Sequence, residues 1–172
     1  MTGVTSVPQP DPSSRSAADT VTSLRRARQD DVPAITALVH DAYVGSVALL
    51  GRQPMPMTVD YAEAVALHEV WVLDEGHRLA GVLELIAKPD VMWIENVAVA
   101  PDRQSRGLGR RLLAHAEAQA RERGLTAMGL LTNERFVDNI AMYERYGYRE
   151  THREPYRGSD VVTFRKALAA PG

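Results

Sequence analysis

The sequence contains no cysteine, which excludes disulfide bonds and metal sites with thiolate ligands. It also has no apolar run that approaches the roughly 18 residues a transmembrane helix requires. The first residues lack both the positively charged start and the apolar stretch of a secretion signal. Together these absences predict a cytoplasmic protein without a membrane partner.

A surplus of either charge is also missing from the chain. Lysine and arginine number 20 against 22 aspartate and glutamate residues, which gives a formal net charge of -2. Domains that bind nucleic acid usually carry a basic surplus, so we expect no nucleic-acid partner. The five histidines show no spacing typical of metal ligands, and we assign no metal.

Length and composition indicate one folded domain. The chain has 172 residues, 45% of them hydrophobic, so it can bury a core of its own. Residues 1–19 are rich in proline, serine and threonine and are predicted to form a disordered tail. We place the folded domain at residues 20–168 and a short C-terminal tail at residues 169–172.

Strand-like and helix-like periodicities alternate along this domain. The stretch VWVLDEGHRLAGVLELIAK predicts two strands joined by a turn, and VMWIENVAVA predicts a third strand covered on both faces. Residues 108–123 have helical spacing, and Gly124 supplies the C-terminal stop. A further strand, a last helix ending at Gly147 and a hairpin around Gly158 complete a mixed α/β domain.

The segment PDRQSRGLGRR, residues 101–111, lies between the third of these strands and the long helix. Backbone N–H groups in such a turn lack intrahelical acceptors, and the helix dipole adds partial positive charge. Gly107 and Gly109 allow close approach of a phosphate, while Arg106 and Arg110 add side-chain charge. The pattern favours an anion site, with a tight turn and a solvated arginine face as the alternative.

Two known phosphate-binding loops do not fit these residues. A P-loop needs Lys followed by Ser or Thr after its second glycine, whereas Gly109 is followed by Arg110 and Arg111. The dinucleotide fingerprint needs a third small residue at the position of Leu112. Both known loops are therefore excluded.

The segment resembles the signature of the GNAT superfamily of N-acetyltransferases. That signature is Gln or Arg, two residues, Gly, one residue, and Gly or Ala, and here it reads QSRGLG at residues 104–109. The preceding strand WIENVAVAPD and the later helix DNIAMYERYGY are similar to the family pattern, so the resemblance covers about residues 20–168. It implies a mixed sheet of roughly six to seven strands, splayed at its centre and flanked by about four helices. It also implies acetyl-coenzyme A as the co-substrate.

The resemblance further implies which residues bind the cofactor. Backbone groups of Val97, Ala98 and Val99 are expected to meet the pantetheine arm, and Asn139 is expected to contact the cofactor from the last helix. The pyrophosphate is expected on the loop and first helical turn, at Gln104, Ser105, Arg106, Gly107, Leu108, Gly109 and Arg110.

Tyr143 is the candidate acid for the leaving thiolate. It matches the tyrosine of the family's Tyr-Glu-x-x-Gly motif. It also follows Asn139 by one helical turn, so both side chains are expected to face the cofactor. The alternative is a tyrosine that only packs against the sheet.

Glu95 is the candidate base. Strand alternation places it on one face with Val97 and Val99, opposite Ile94, Asn96 and Ala98. Burying a carboxylate in so apolar a strand is costly without a purpose or a partner. A buried salt bridge is the alternative, and Glu84 on the preceding strand is a second carboxylate with a weaker claim.

The acceptor is not named by the sequence. By resemblance its pocket is built from residues 43–64 and 151–162. Candidate lining residues, each of which is also an ordinary core type, are Tyr43, Met55, Met57, Tyr61 and Tyr156. The leading interpretation is an N-acetyltransferase acting on a primary amine of a small or amino-acid-like molecule. A protein lysine or N-terminus as acceptor, a non-catalytic acyl-coenzyme A sensor and a homodimer all stay open.

Overall fold

The computed structural model describes residues 21–170, so the tail expected over residues 1–19 lies outside the described part. Seven strands form its single sheet: β1 (Ser23–Arg26), β2 (Glu69–Asp74), β3 (Leu79–Ala87), β4 (Met92–Val99), β5 (Ala127–Asn133), β6 (Arg149–Tyr156) and β7 (Ser159–Ala167). Their order across the sheet is β1-β2-β3-β4-β5-β7-β6. Neighbouring strands are antiparallel except for β4 and β5, which are parallel.

Helices cover both faces of this sheet. The α-helices are α1 (Val32–Tyr43), α2 (Ser46–Leu50), α3 (Tyr61–Leu67), α4 (Leu108–Glu122) and α5 (Val137–Arg145). Helices α1 and α3 bury one face together with Val72 and Val82, whereas α4 and α5 bury the other with Leu73 and Leu83. Adjacent residues of β2 and β3 thus enter different cores, because strand side chains alternate between faces.

Strands β4 and β5 separate along their length. Their parallel pairing covers only Met92 to Ile94 on β4, opposite residues 128–130 of β5. Beyond Ile94 the β4 edge has no partner from β5, which continues to pair with β7 as far as Asn133. This opening positions the candidate site, because it exposes strand backbone between two otherwise continuous halves of the sheet.

A β-bulge at Glu95 corrects the expected facing of β4. Glu84 of β3 is opposite Asn96, but the next residue, Leu85, is opposite Ile94, so Glu95 is the extra residue. The bulge reverses the alternation: Ile94 packs in the α4 core, whereas Asn96 and Ala98 face α1 and α3. The prediction that these three residues share one face was therefore wrong.

The expected fold class is confirmed. The sheet is mixed, has seven strands, is splayed at its centre and lies between layers of helices. The long helix begins at Leu108 as expected, and Gly124 follows it with a left-handed φ of 70°. Within residues 21–170, no helix combines the length and the apolar character needed to cross a membrane.

Candidate active site

A pocket of about 160 Å³ opens where β4 and β5 separate. Most of its wall is apolar or aromatic, as in sites for small molecules. It is lined from the α1–α3 region by Tyr43, Leu50, Arg52, Pro54, Met55, Pro56 and Val59, from β3 and β4 by Glu84, Trp93, Ile94, Glu95, Asn96 and Val97, and from the other half of the sheet by Leu130, Leu131, Thr132, Asn133, Phe136, Asn139, Tyr143, Tyr156 and Val161.

The glycine-containing loop lies at the far end of β4 and leads into α4. Ser105 and Gly107 have φ values of 61° and 77°, so the backbone turns twice through the left-handed region. Among the described residues, the backbone N–H groups of residues 105–110 donate no hydrogen bond. Consecutive free N–H groups at the start of a 15-residue helix form an anion-binding concavity.

Ion pairs fix the base of this loop. Arg103 donates to Glu75 at 2.8 Å and to Asp102 at 2.9 Å, and Arg78 donates to Asp102 at 2.6 Å. These contacts fasten the loop to the β2–β3 turn and occupy Arg103. Arg106 and Arg110 are exposed, and neither pairs with a carboxylate in residues 21–170. Their charge is thus directed at solvent beside the free N–H groups.

The remaining cofactor-binding candidates lie along β4 and at the edge of the loop. Val97 lines the pocket and Val99 packs toward α4, whereas the Ala98 side chain is buried under α1 and α3. Only the backbone of Ala98 can therefore face the opening. The Gln104 side chain turns back and donates to the carbonyl of Val99 at 3.2 Å, which closes the loop onto the strand end.

Tyr143 and Asn139 lie on the same face of α5 and both line the pocket. The Tyr143 ring is 6% exposed and packs against Tyr148 and Phe164, with ring centroids 5.9 and 6.2 Å away. Burial raises the pKa of Tyr143 to about 12. Its hydroxyl therefore keeps its proton at neutral pH.

Glu95 lines the pocket but is exposed, which contradicts the burial premise of the sequence argument. The bulge is the reason, because it turns this residue out of the regular strand faces. Among residues 21–170, Glu95 makes no ion pair, so the proposed buried salt bridge is not formed. Glu95 is therefore a carboxylate at the opening without an ion-pair partner in the described part of the chain.

Glu84, the second carboxylate named from the sequence, is the buried carboxylate of the pocket. It is 1% exposed, and its Oε1 lies 2.6 Å from Nδ1 of His68, at the end of α3. Burial raises the pKa of Glu84, while the contact with His68 acts in the opposite direction. The apolar stretch LELI marked Glu84 as a candidate in the sequence but did not indicate that His68 is its partner.

The expected acceptor wall is present in part. Tyr43, Met55 and Tyr156 line the pocket, whereas Met57 and Tyr61 do not. Tyr61 is a core residue whose hydroxyl donates to the carbonyl of Pro56 at 2.8 Å and accepts from Asn96 at 3.1 Å. Sequence reasoning missed the aromatic pair Trp93 and Phe136 and the cation of Arg52. Within the described residues, no group of three or more His, Asp and Glu side chains is arranged to hold a metal ion.

Comparison with known families identifies the family of this chain. The family model for the acetyltransferase (GNAT) family matches residues 16–148. The chain belongs to that family.

Two relatives of known sequence match segments of the chain. An uncharacterized N-acetyltransferase, YvbK, of Bacillus subtilis is 30% identical over 103 residues, which are 59% of this chain and 64% of the relative. The [ribosomal protein bS18]-alanine N-acetyltransferase of Salmonella typhimurium is 42% identical over 61 residues, which are 36% of this chain and 41% of the relative. The chain thus spans less than two thirds of either relative.

Solved structures share the fold over most of the chain. The ribosomal-protein-S18-alanine N-acetyltransferase of Escherichia coli superposes with a TM-score of 0.72 at 21% identity, covering 88% of this chain and 97% of that one. The PaiA N-acetyltransferase of Thermoplasma acidophilum, solved in complex with coenzyme A, gives 0.72 at 14% identity, covering 86% and 99%. At these identities the similarity concerns the fold alone.

Proposed function

We propose that this chain transfers an acetyl group from acetyl-coenzyme A to a primary amine of a small or amino-acid-like acceptor. One observation carries the proposal: free N–H groups at residues 105–110 and the pocket of Tyr143 lie at opposite ends of the unpaired β4 edge. A long cofactor bound along this edge would place its anionic part on the loop and its reactive end at the pocket.

The residues present fit coenzyme A. The pyrophosphate would lie on the N–H groups of residues 105–110, with Arg106 and Arg110 beside it. Backbone groups of residues 97–99 would bind the pantetheine arm, and Asn139 would contact the cofactor from α5. When bound, acetyl-coenzyme A supplies an activated thioester, so the chain needs no nucleophile of its own.

Proton transfer is assigned to two side chains of the pocket wall. An alkylammonium has a pKa near 10.4, so the acceptor must lose a proton before it can attack. Glu95 accepts that proton in this proposal. It is exposed in the opening and makes no ion pair within the described residues. Tyr143, protonated at neutral pH, donates to the sulfur that leaves.

The nature of the acceptor is part of the proposal. The pocket is small and mostly apolar or aromatic, which favours a small amine. The likeness to a ribosomal-protein N-acetyltransferase supports a protein N-terminus as a second candidate. A non-catalytic sensor would keep the loop yet transfer nothing.

Thiol release from acetyl-coenzyme A, measured over a panel of small amines and peptides, separates these candidates. We expect turnover with at least one small amine, and replacement of Glu95 by Gln should lower its kcat about 10²-fold or more, the usual contribution of a general base. Turnover confined to peptides would select the protein acceptor. Tight cofactor binding without turnover on any compound would refute the enzyme and leave the sensor.

A further inference from the structure

Glu84 is a buried carboxylate that the proposed proton transfers do not use. It lies at the centre of β3, directly opposite Asn96 and therefore beside the bulge of β4. It is 1% exposed to solvent and yet contributes to the wall of the pocket. A carboxylate in such a position is costly unless its oxygens have partners.

Only one of its oxygens has a partner in the described part of the chain. Oε1 lies 2.6 Å from Nδ1 of His68, whereas Oε2 is shielded from water and has no hydrogen-bond partner there. A proton must lie between Oε1 and Nδ1, because both atoms would otherwise present lone pairs to each other. With Glu84 ionised, His68 donates that proton and leaves Oε2 as an unsatisfied anionic acceptor.

The charged residues of the pocket wall make one side of the pocket negative and the other positive. Apart from Glu84, the charged lining residues are Glu95 at the bulge and Arg52. The Arg52 guanidinium lies 5.2 Å from the ring centroid of Tyr156, which ends the edge strand β6. Strands β3 and β6 are on opposite sides of the opening, so both carboxylates lie toward the β3–β4 side. A cationic group is favoured there.

We propose that Oε2 of Glu84 binds the ammonium group of the acceptor, with His68 as the residue that positions it. This assignment rests on the proposed function, since it deepens the acceptor specificity of the same pocket. The acceptor is then a primary amine that enters the pocket in its protonated, cationic form. Glu84 accepts one N–H of the nitrogen, while another proton leaves toward Glu95.

Binding of two matched probes tests this without turnover. Phenethylammonium is cationic at neutral pH, and 2-phenylethanol is its uncharged counterpart of similar shape. Of the two tryptophans in the chain, Trp93 lines the pocket, so its fluorescence reports occupancy. A charge-assisted hydrogen bond is expected to make the ammonium bind at least about 10-fold more tightly than the alcohol in the wild type.

The variant Glu84→Gln removes the charge with little change of shape and should remove most of this preference, since only the charge of Glu95 remains, while leaving alcohol binding unchanged. Glu63→Gln is the matched control, because Glu63 is an exposed residue of α3 outside the pocket and the change in net charge is equal. It should keep the wild-type preference. A wild type without preference, or a Glu84→Gln variant that keeps it, overturns the assignment.

Variants at His68 provide a second route if Glu84→Gln does not fold. His68→Asn retains an N–H donor near the position of Nδ1 and should preserve the preference, whereas His68→Phe should reduce it. Equal preference in both variants contradicts the positioning role. The proposed function is tested separately by thiol release. If the wild-type protein releases no thiol but still binds the ammonium more tightly than the alcohol, the proposed function fails and the assignment of Glu84 stands.

Discussion

The charge of a single side chain at position 109 should decide whether the loop binds coenzyme A. Gly109 is the second residue of α4, beside the free N–H groups of the loop. A Cβ built there meets only Met142 Sδ at 3.8 Å and Val99 Cγ2 at 4.0 Å, which are ordinary contacts. Both Gly109→Ala and Gly109→Glu should therefore fold.

The magnitude follows from Coulomb's law. Two unit charges about 5 Å apart interact by about 3 kcal/mol at an effective dielectric constant near 20, as found close to a protein surface. A glutamate at position 109 would meet the charges of the pyrophosphate at such distances, so even with screening we expect a loss of about 3 kcal/mol, or about 100-fold in Kd. The same carboxylate favours the helix itself, because acidic residues stabilise helix N-termini by roughly 0.3–1 kcal/mol.

Calorimetric titration with coenzyme A and thermal unfolding of the free protein separate these effects. Gly109→Ala should bind within about twofold of the wild type, since surface substitutions usually change free energies by no more than about 0.5 kcal/mol. Gly109→Glu should keep or raise the melting temperature and lose the affinity. Unchanged affinity in a folded Gly109→Glu variant would show that the pyrophosphate does not lie on this loop.

Three further perturbations have distinct readouts. Tyr143→Phe should lower kcat about 10²-fold with cofactor affinity unchanged, and full activity would remove its role as acid. The stability of the fold at alkaline pH should also depend on Tyr143. The pKa of its hydroxyl is about 12 in the folded protein and 10.0 for an ordinary tyrosine. The unfolded chain therefore loses this proton at a lower pH than the folded protein does. Stability should fall as pH rises from about 10 to 12, by up to about 3 kcal/mol from this residue, and less steeply in Tyr143→Phe. Gly129→Ala places a methyl 2.7 Å from the Trp93 ring and should cost about 1–3 kcal/mol of unfolding free energy in a denaturant titration; an unchanged midpoint would contradict the packing at this position.

Features that depend on neighbours in the chain could be predicted from the sequence. The free N–H groups of the loop follow from a strand end, Gly107 and the start of a helix, all within a few residues. Tyr143 and Asn139 share a face because they are one helical turn apart, and the structure places both on the pocket wall. Local geometry is set by local sequence in each case.

Features that depend on strand pairing could not be predicted in this way. Alternation within β4 alone places Ile94 and Asn96 on one face, but pairing with β3 inserts Glu95 as an extra residue. The partner of Glu84 is likewise distant in sequence, since His68 reaches it from the end of α3. A single apolar stretch with a carboxylate in it does not say whether that carboxylate is exposed, paired or free.

The bulge and the opening of the sheet lie at one place in the fold. Parallel pairing of β4 with β5 ends at Ile94, the residue immediately before Glu95, so the opening between the two strands begins where the bulge lies. The reversal after the bulge turns Asn96 toward α1 and α3, where it accepts from Tyr43 at 2.9 Å. One extra residue, rather than a separate element, therefore turns Glu95 out of the regular strand faces at the point where the β4 backbone loses its partner β5.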